Sequence, residues 1–271
     1  MKTLDAKLAD IHANASSKAF ILADAKDADM AFGISSPGKS PEHYAQEGRF
    51  RSLPEFRDCI RQVVQQGNGT ASLTLPFDVR SLTQVKAAIE GLPKGWESID
   101  VLINNAGLAR GMDLLQEGRI EDWEEMIDSN LKGLLYVTRL VLPGMLKRER
   151  GHVVNIASIA GMHPYPRGNV YAASKAAVRV LSEALRQDLL GSQIRVTAIS
   201  PGLVETEFSQ VRFRGDPKRA VEPYRGMTPL TGDDVADTVV YALTRPSHVN
   251  ISEIVLLPTD QAGVTLVHRR E

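Results

Sequence analysis

Ile99-Asp100-Val101-Leu102-Ile103-Asn104-Asn105-Ala106-Gly107 is an apolar run that stops abruptly at two asparagines, an alanine and a glycine. A short apolar run bounded by turn formers reads as a strand buried on both faces. Working outward from it, the same grammar repeats. Upstream, Ser81 to Gly91 has a helical pattern, opened by a serine cap and closed by a glycine. Before that, Ala71 to Leu75 is a strand candidate running into Phe77-Asp78-Val79. Downstream, Ile120 to Leu146 is a long amphipathic helix pattern with Pro143 late in it, and His152 to Ile156 is the next apolar strand. Val170 to Leu190 is a second long helix, and Arg195 to Ile199 a strand ending in Ser200-Pro201-Gly202. Asp233 to Leu243 and Glu253 to Leu257 supply a last helix and strand. Buried strands alternating with helices predict an α/β fold: one doubly wound parallel sheet with helices on both faces, in a single domain. Such sheets bind ligands beyond the carboxyl ends of their strands. Asp78, Asn104, Ser158 and Pro201 each follow a strand candidate there.

Bulk properties narrow the function. The chain has 271 residues, enough to bury a core without staples. Its formal net charge of -1 gives no electrostatic basis for a nucleic-acid partner. The one cysteine, Cys59, cannot form an internal disulfide, which fits a reducing compartment. No apolar run reaches the roughly 18 residues of a membrane helix, and Met1 to Asp10 lacks an apolar signal core. A cytoplasmic protein with no membrane partner is expected.

Four polar residues carry the chemistry. Tyr171 and Lys175 stand four apart on a predicted helix and so share one face. A phenol with a pKa near ~10 is a poor base at neutral pH, and a nearby ammonium favours its ionised form. The phenol then trades a proton with a substrate hydroxyl, and a serine hydroxyl such as that of Ser158 holds the same oxygen. Singly, each residue has a plainer reading. Asn130 caps or kinks its helix, Ser158 turns the chain at a strand end, Asn104 closes a strand, and Asp78 caps the helix near Ser81. The combination is what points to catalysis.

That combination resembles the short-chain dehydrogenase/reductase family. Asn104-Asn105-Ala106-Gly107 is similar to the family's NNAG motif, and Asn130 to its helix asparagine. Ser158 in Asn155-Ile156-Ala157-Ser158 matches its serine, and Tyr171-Ala172-Ala173-Ser174-Lys175 its YxxxK signature. Pro201-Gly202, then Val204 and Thr206, resemble the loop on the nicotinamide side, and Asp78-Val79 the pair that contacts adenine. The resemblance implies a Rossmann-like fold over residues 70–271. It also implies an NAD(P)-dependent hydride transfer between nicotinamide and a secondary alcohol or ketone. Tyr171 is then the general acid/base. Lys175 lowers its pKa and holds the nicotinamide ribose, Ser158 orients the substrate oxygen, and Asn130 holds a water linking Lys175 to solvent. Asp78, Val79, Asn104, Ala106, Gly107, Pro201, Gly202, Val204 and Thr206, with Tyr171 and Lys175, contact the cofactor; no metal is implied. Gly202 to Phe208, Val211 to Asp216, His248 to Ile251 and Leu257 to Thr259, with Trp96 and Trp123, resemble the NADP-dependent 3-hydroxy acid dehydrogenase branch, which oxidises serine and allo-threonine. A carboxylate substrate needs a cation, for which Arg212 and Arg214 are candidates. Pairing through the two long helices into a homodimer or homotetramer is also implied.

Residues 1–69 depart from the family. The glycine-rich phosphate loop expected after the first strand is missing; Ala23 to Gly33 carries Asp24, Lys26, Asp27 and Asp29 instead. Two readings follow. In one, Lys18 to Ala23 is still the first strand of a degenerate βαβ unit, and Arg49 or Arg51 holds a 2′-phosphate. In the other, this segment replaces that unit, Lys18 to Ile34 resembling the opening strand of aldolase-like barrels. A catalytically impaired scaffold that binds dinucleotide poorly is the alternative to an active enzyme.

Overall fold

The computed structural model describes residues 19–22, 75, 77–94 and 96–270. The strand expected at Ala71, the helix expected over 54–66, the loop over 33–48, and Cys59, Arg49 and Arg51 lie outside the described residues.

One sheet organises the described chain. Its strands are β1 (Ala19–Leu22), β2 (Ile99–Asn104), β3 (Gly151–Ile156), β4 (Ile194–Pro201) and β5 (Glu253–Leu256). They lie in that order, each pair parallel. β1 takes its place beside β2, as expected of Lys18 to Ala23 being a strand. The register sets Asn104 opposite Asn155 and Ile156 opposite Ile199, so the carboxyl ends of β2, β3 and β4 form one edge.

Alternate strand residues feed two apolar layers. On one face, Leu102, Val153 and Val196 pack with Val85 of α1 (Leu82–Glu90) and with Val137, Val141 and Met145 of α3 (Leu134–Lys147). On the other, Val154, Ile156 and Ile199 pack with Val235, Val239 and Leu243 of α7 (Gly232–Leu243). Two layers fed by one sheet explain why these strands carry no polar face. α1 begins where Ser81 caps it through Gln84 N and ends at Gly91, as its sequence signals require. Thr231 and Asp234 close α7 with a capping box.

The helix expected over Ile120 to Leu146 is not one regular helix. It starts as α2 (Ile120–Ile127), widens into a π turn over Asp128–Gly133, and resumes as α3. Apolar periodicity does not reveal a single inserted residue, and so reads through it. α4 (Asn169–Asp188) is the second long helix. Between β4 and β5 stand two short helices that the sequence pattern did not announce, α5 (Phe208–Arg212) and α6 (Pro217–Val221).

Candidate active site

The crevice at the carboxyl edge of the sheet is built on a buried polar brace. Asn104 Nδ2, at the end of β2, donates to Thr138 Oγ1 on α3 (3.0 Å) and to Asn155 Oδ1 on β3 (2.8 Å). Asn155 Nδ2 donates in turn to Ser182 Oγ on α4 (2.9 Å). All four side chains are buried. Two strands and two helices are thereby pinned to each other, and losing one partner strands a buried polar group at a cost of about 1–3 kcal/mol. Asn104 is therefore a brace beneath the crevice through its side chain.

Asn130 performs a second join. Its position in the π turn faces it toward the segment after β2. Its Oδ1 accepts from Leu108 N (2.8 Å), and its Nδ2 donates to Leu108 O (2.9 Å) and to Ser174 Oγ on α4 (2.9 Å). Both amide donors are spent inside the protein, so this side chain ties segment 105–108 to α4. Gly107 lies against the same group. A Cβ there would stand 3.1 Å from both Asn130 Oδ1 and Lys175 Nζ, which accounts for glycine at this position. Gly161 allows equally close approach to α4, its Cβ position lying 2.5 Å from the Lys175 carbonyl carbon.

Lys175 is 5% exposed and donates from Nζ to Ile156 O at the end of β3 (2.9 Å). Burial pushes its pKa down to about 8. Tyr171, one turn earlier on α4, is held upward from the ordinary phenol value, chiefly by burial and then by the Tyr165 phenol; a hydrogen bond from Ser158 and the Arg212 charge pull the other way. The ring keeps some exposure, so burial is incomplete. The sequence expectation that Lys175 sets an acidic phenol therefore meets a different balance. The ammonium is committed to a main-chain carbonyl, and Ser158 and Arg212 are the groups that oppose the burial. Ser158 also accepts from Ala160 N (3.1 Å), which fixes its turn.

The loop after β4 closes the crevice. Gly202 N donates to Leu256 O (2.7 Å), and Leu203 N to the buried Gln261 Oε1 (2.8 Å). Val204 bridges Leu230, and its carbonyl accepts from Tyr224 Oη (2.9 Å). Thr206 Oγ1 accepts from the N–H of Phe208 (3.3 Å), the first residue of α5. From α5, Phe208 packs its ring on Tyr171 at 5.4 Å between centroids. Arg212 sets its guanidinium 5.8 Å from the Tyr171 ring centre. Nη1 of Arg212 donates to Tyr165 Oη (2.7 Å) and Nε to Gly111 O (2.9 Å). Of the two arginines expected to meet a carboxylate, only Arg212 faces Tyr171. Arg214 is paired with the buried Asp122.

Asn130, Gly107, Lys175, Tyr171 and Ser158 thus meet at one place, with Phe208 and Arg212 of α5 against Tyr171; Pro201 to Thr206 lead from β4 to that helix. Asp78 and Val79 do not join that cluster. The Asp78 carboxylate is held by Arg80 (Nη2 to Oδ2, 2.7 Å), and the Val79 side chain is buried where Gly133 approaches it. Sequence reasoning missed Asn155, although a polar residue inside an apolar strand is a signal for a buried bond. It also missed Tyr165 and Gln261, which carry no such signal.

The described residues fit a dinucleotide. The carboxyl ends of three adjacent strands open on one side, Gly107 allows close approach to main chain, and Asn105 Oδ1 is buried without a partner among the described residues. No group of histidine, cysteine or carboxylate side chains among the described residues is arranged to hold a metal.

The class this fold and site define is borne out by comparison. Residues 51–216 match the short chain dehydrogenase family. The chain is 50% identical to the NADP-dependent 3-hydroxy acid dehydrogenase YdfG of Escherichia coli (strain K12), over 79% of this chain and 96% of that protein. It is 42% identical to the serine 3-dehydrogenase of Rhizobium radiobacter, over 72% and 78%. The solved closed form of a serine dehydrogenase complexed with NADP+ superposes with a TM-score of 0.74 at 42% identity, covering 85% of this chain and 93% of that one. The chain belongs to the short-chain dehydrogenase family and is an oxidoreductase of the Rossmann-like fold, close to the 3-hydroxy acid dehydrogenases.

Proposed function

We propose that this chain is an NADP-dependent dehydrogenase that oxidises the C3 hydroxyl of a small 3-hydroxy acid such as serine or allo-threonine. The observation that carries it is the Arg212 guanidinium beside Tyr171, held in a fixed orientation by Tyr165 and Gly111. A planar cation in that place suits a substrate carboxylate next to the reacting hydroxyl. The relatives named for 3-hydroxy acids and serine, and the NADP+ complex, support the same substrate and cofactor.

When bound, the nicotinamide supplies the hydride acceptor; the protein supplies orientation and proton traffic. Ser158 would hold the substrate hydroxyl oxygen, and Tyr171, in the phenolate form that Ser158 and Arg212 favour against the burial, would take its proton and become the neutral phenol as the hydride leaves the same carbon. The buried phenol gives the proton back in the reverse reaction. Lys175 would hold the nicotinamide ribose from its place beside Gly107, while its depressed pKa would let it pass a proton near neutral pH. Asn130 keeps segment 105–108 against Lys175. Asp78, Val79, Ala106, Pro201, Gly202, Val204 and Thr206 line the remainder of the cofactor site. Residues 70–271 are the dehydrogenase core, and residues 1–69 an atypical segment that stands for a degenerate or replaced first βαβ unit; β1 beside β2 favours the former. The chain works in the cytoplasm as a homodimer or homotetramer paired through α3 and α4, whose outer faces expose Leu135, Leu146 and Val180.

Steady-state rates with serine and a panel of 3-hydroxy acids, using NADP and NAD separately, test the reading. Tyr171→Phe is expected to abolish turnover with the far-UV circular dichroism spectrum intact. Near-normal turnover in that variant, or no saturable quenching of fluorescence on NADPH titration of the wild type, overturns it.

A further inference from the structure

Arg212 sits at the end of α5, a helix of five residues. A helix that short does not hold itself in water. Its last carbonyls have no intrahelical donor and need partners from outside. Val211 O takes a local bond from Arg214 N (3.2 Å), and it and Arg212 O find further partners in the segment after β2. Arg110 Nη1 donates to Val211 O (2.7 Å), and Gly111 N donates to Arg212 O (3.0 Å).

Arg110 is itself immobilised. Its Nε and Nη2 form a fork on Glu125 of α2, at 2.5 Å to Oε2 and 2.8 Å to Oε1. The two side chains are only 11% and 16% exposed, so the pair is shielded from most solvent screening. Arg110 first, with Arg80 and Arg214 adding charge, holds the Glu125 carboxyl below the usual range. One turn back on α2, Asp122 takes Arg214 from just beyond α5. Segment 108–111 is anchored at its other end by Asn130.

We propose that Arg110 and Glu125 are positioning residues for substrate recognition: they lock the last turn of α5 so that the Arg212 guanidinium is presented over Tyr171. Arg110 meets neither substrate nor cofactor in this role. It supplies one carbonyl at the C-terminus of α5, that of Val211, with a fixed cationic donor, and Glu125 fixes that donor. Without them the backbone under Arg212 loses one of its two ties to segment 110–111, and the second N–H of Nη1 and of Nη2, left over from the bonds to Tyr165 and Met112, are no longer held in one orientation for a carboxylate. The inference rests on the carboxylate reading of Arg212 given above.

The test compares serine with serine methyl ester as substrates for the wild type and for Arg110→Met, Glu125→Gln and Arg212→Met. In Arg110→Met and Glu125→Gln, KM for serine is expected to rise by about tenfold with kcat lowered less than threefold. The ratio of kcat/KM for acid over ester falls accordingly, by about tenfold. Arg212→Met should lower the same ratio at least as far. An acid-to-ester ratio within twofold of wild type in both Arg110→Met and Glu125→Gln, with Arg212→Met reduced, overturns the positioning role and leaves the substrate reading standing. An unchanged ratio in Arg212→Met overturns both. Should Arg110→Met fail to fold, Glu125→Gln, nearly isosteric, decides alone.

Discussion

Replacing Asn130 by alanine removes a side chain that is 1% exposed and makes three hydrogen bonds. Two of them satisfy the main-chain N–H and C=O of Leu108, itself buried. A stranded buried polar group costs about 1–3 kcal/mol, so the two Leu108 groups together give roughly 2–6 kcal/mol. The lower half of that range is expected, because a water the size of the lost amide can enter a polar cavity. A loss of roughly 3 kcal/mol moves the midpoint of a chain this long by about 6 °C. Differential scanning calorimetry at pH 7 reads the shift, and kcat on the same sample reads the consequence at Lys175, which shares the Gly107 contact. Asn130→Asp should be at least as damaging, because it turns two donors into acceptors facing Leu108 O and Ser174. A midpoint within 2 °C of wild type for Asn130→Ala would refute the view that this residue joins the segment after β2 to α4.

Two further outcomes follow from buried ionisable groups. Lys175 has a folded pKa near 8 against an ordinary 10.5, so the unfolded chain binds more protons between those values and stability rises with pH across that window. Below pH 8 the charged amine is a standing cost, at most roughly 3 kcal/mol. Lys175→Met is therefore expected to lose turnover yet unfold at higher urea than wild type at pH 7, by about 1–2 kcal/mol once the lost bond to Ile156 O is subtracted. That advantage should shrink between pH 8 and 10.5; a variant less stable than wild type at pH 7 contradicts it. His152 is buried with Nε2 on Thr197 Oγ1 (2.8 Å) and Nδ1 without a partner among the described residues, and burial lowers its pKa to about 3 from 6.5. Its contribution is present above pH 6.5 and is lost as pH falls toward 3. Urea midpoints of His152→Gln should vary less than wild type between pH 6.5 and 4; parallel curves would show that this ring does not govern the acid limb.

Much of the architecture could be read from residues 99–107 outward, because both-face apolar strands and capped helices are local signals. β2 to β5, α1, α4 and α7 lie within a residue or two of their predicted spans. The tetrad was legible because Tyr171 and Lys175 are a helical turn apart and Asn130 and Ser158 fall at fixed places around them. What stayed hidden depends on contacts between distant residues. The π turn leaves no mark on a 3.6-residue period. α5 and α6 are too short to show one. The balance on the Tyr171 phenol depends on Arg212, forty-one positions away in sequence, and on how deeply the ring is buried, neither of which a motif encodes.

The widened turn at Asp128–Gly133 fixes the length of this helix as firmly as its composition. Deleting a single residue there would restore a regular spiral, but would rotate everything upstream by about 100° relative to everything downstream. Either the amide would leave Leu108 or the carboxylates of Asp122 and Glu125 would turn away from their arginines. Elsewhere a chain gains or loses residues most easily in exposed loops; in this lineage such changes should be absent between Ile120 and Lys147, even where the residue types themselves drift.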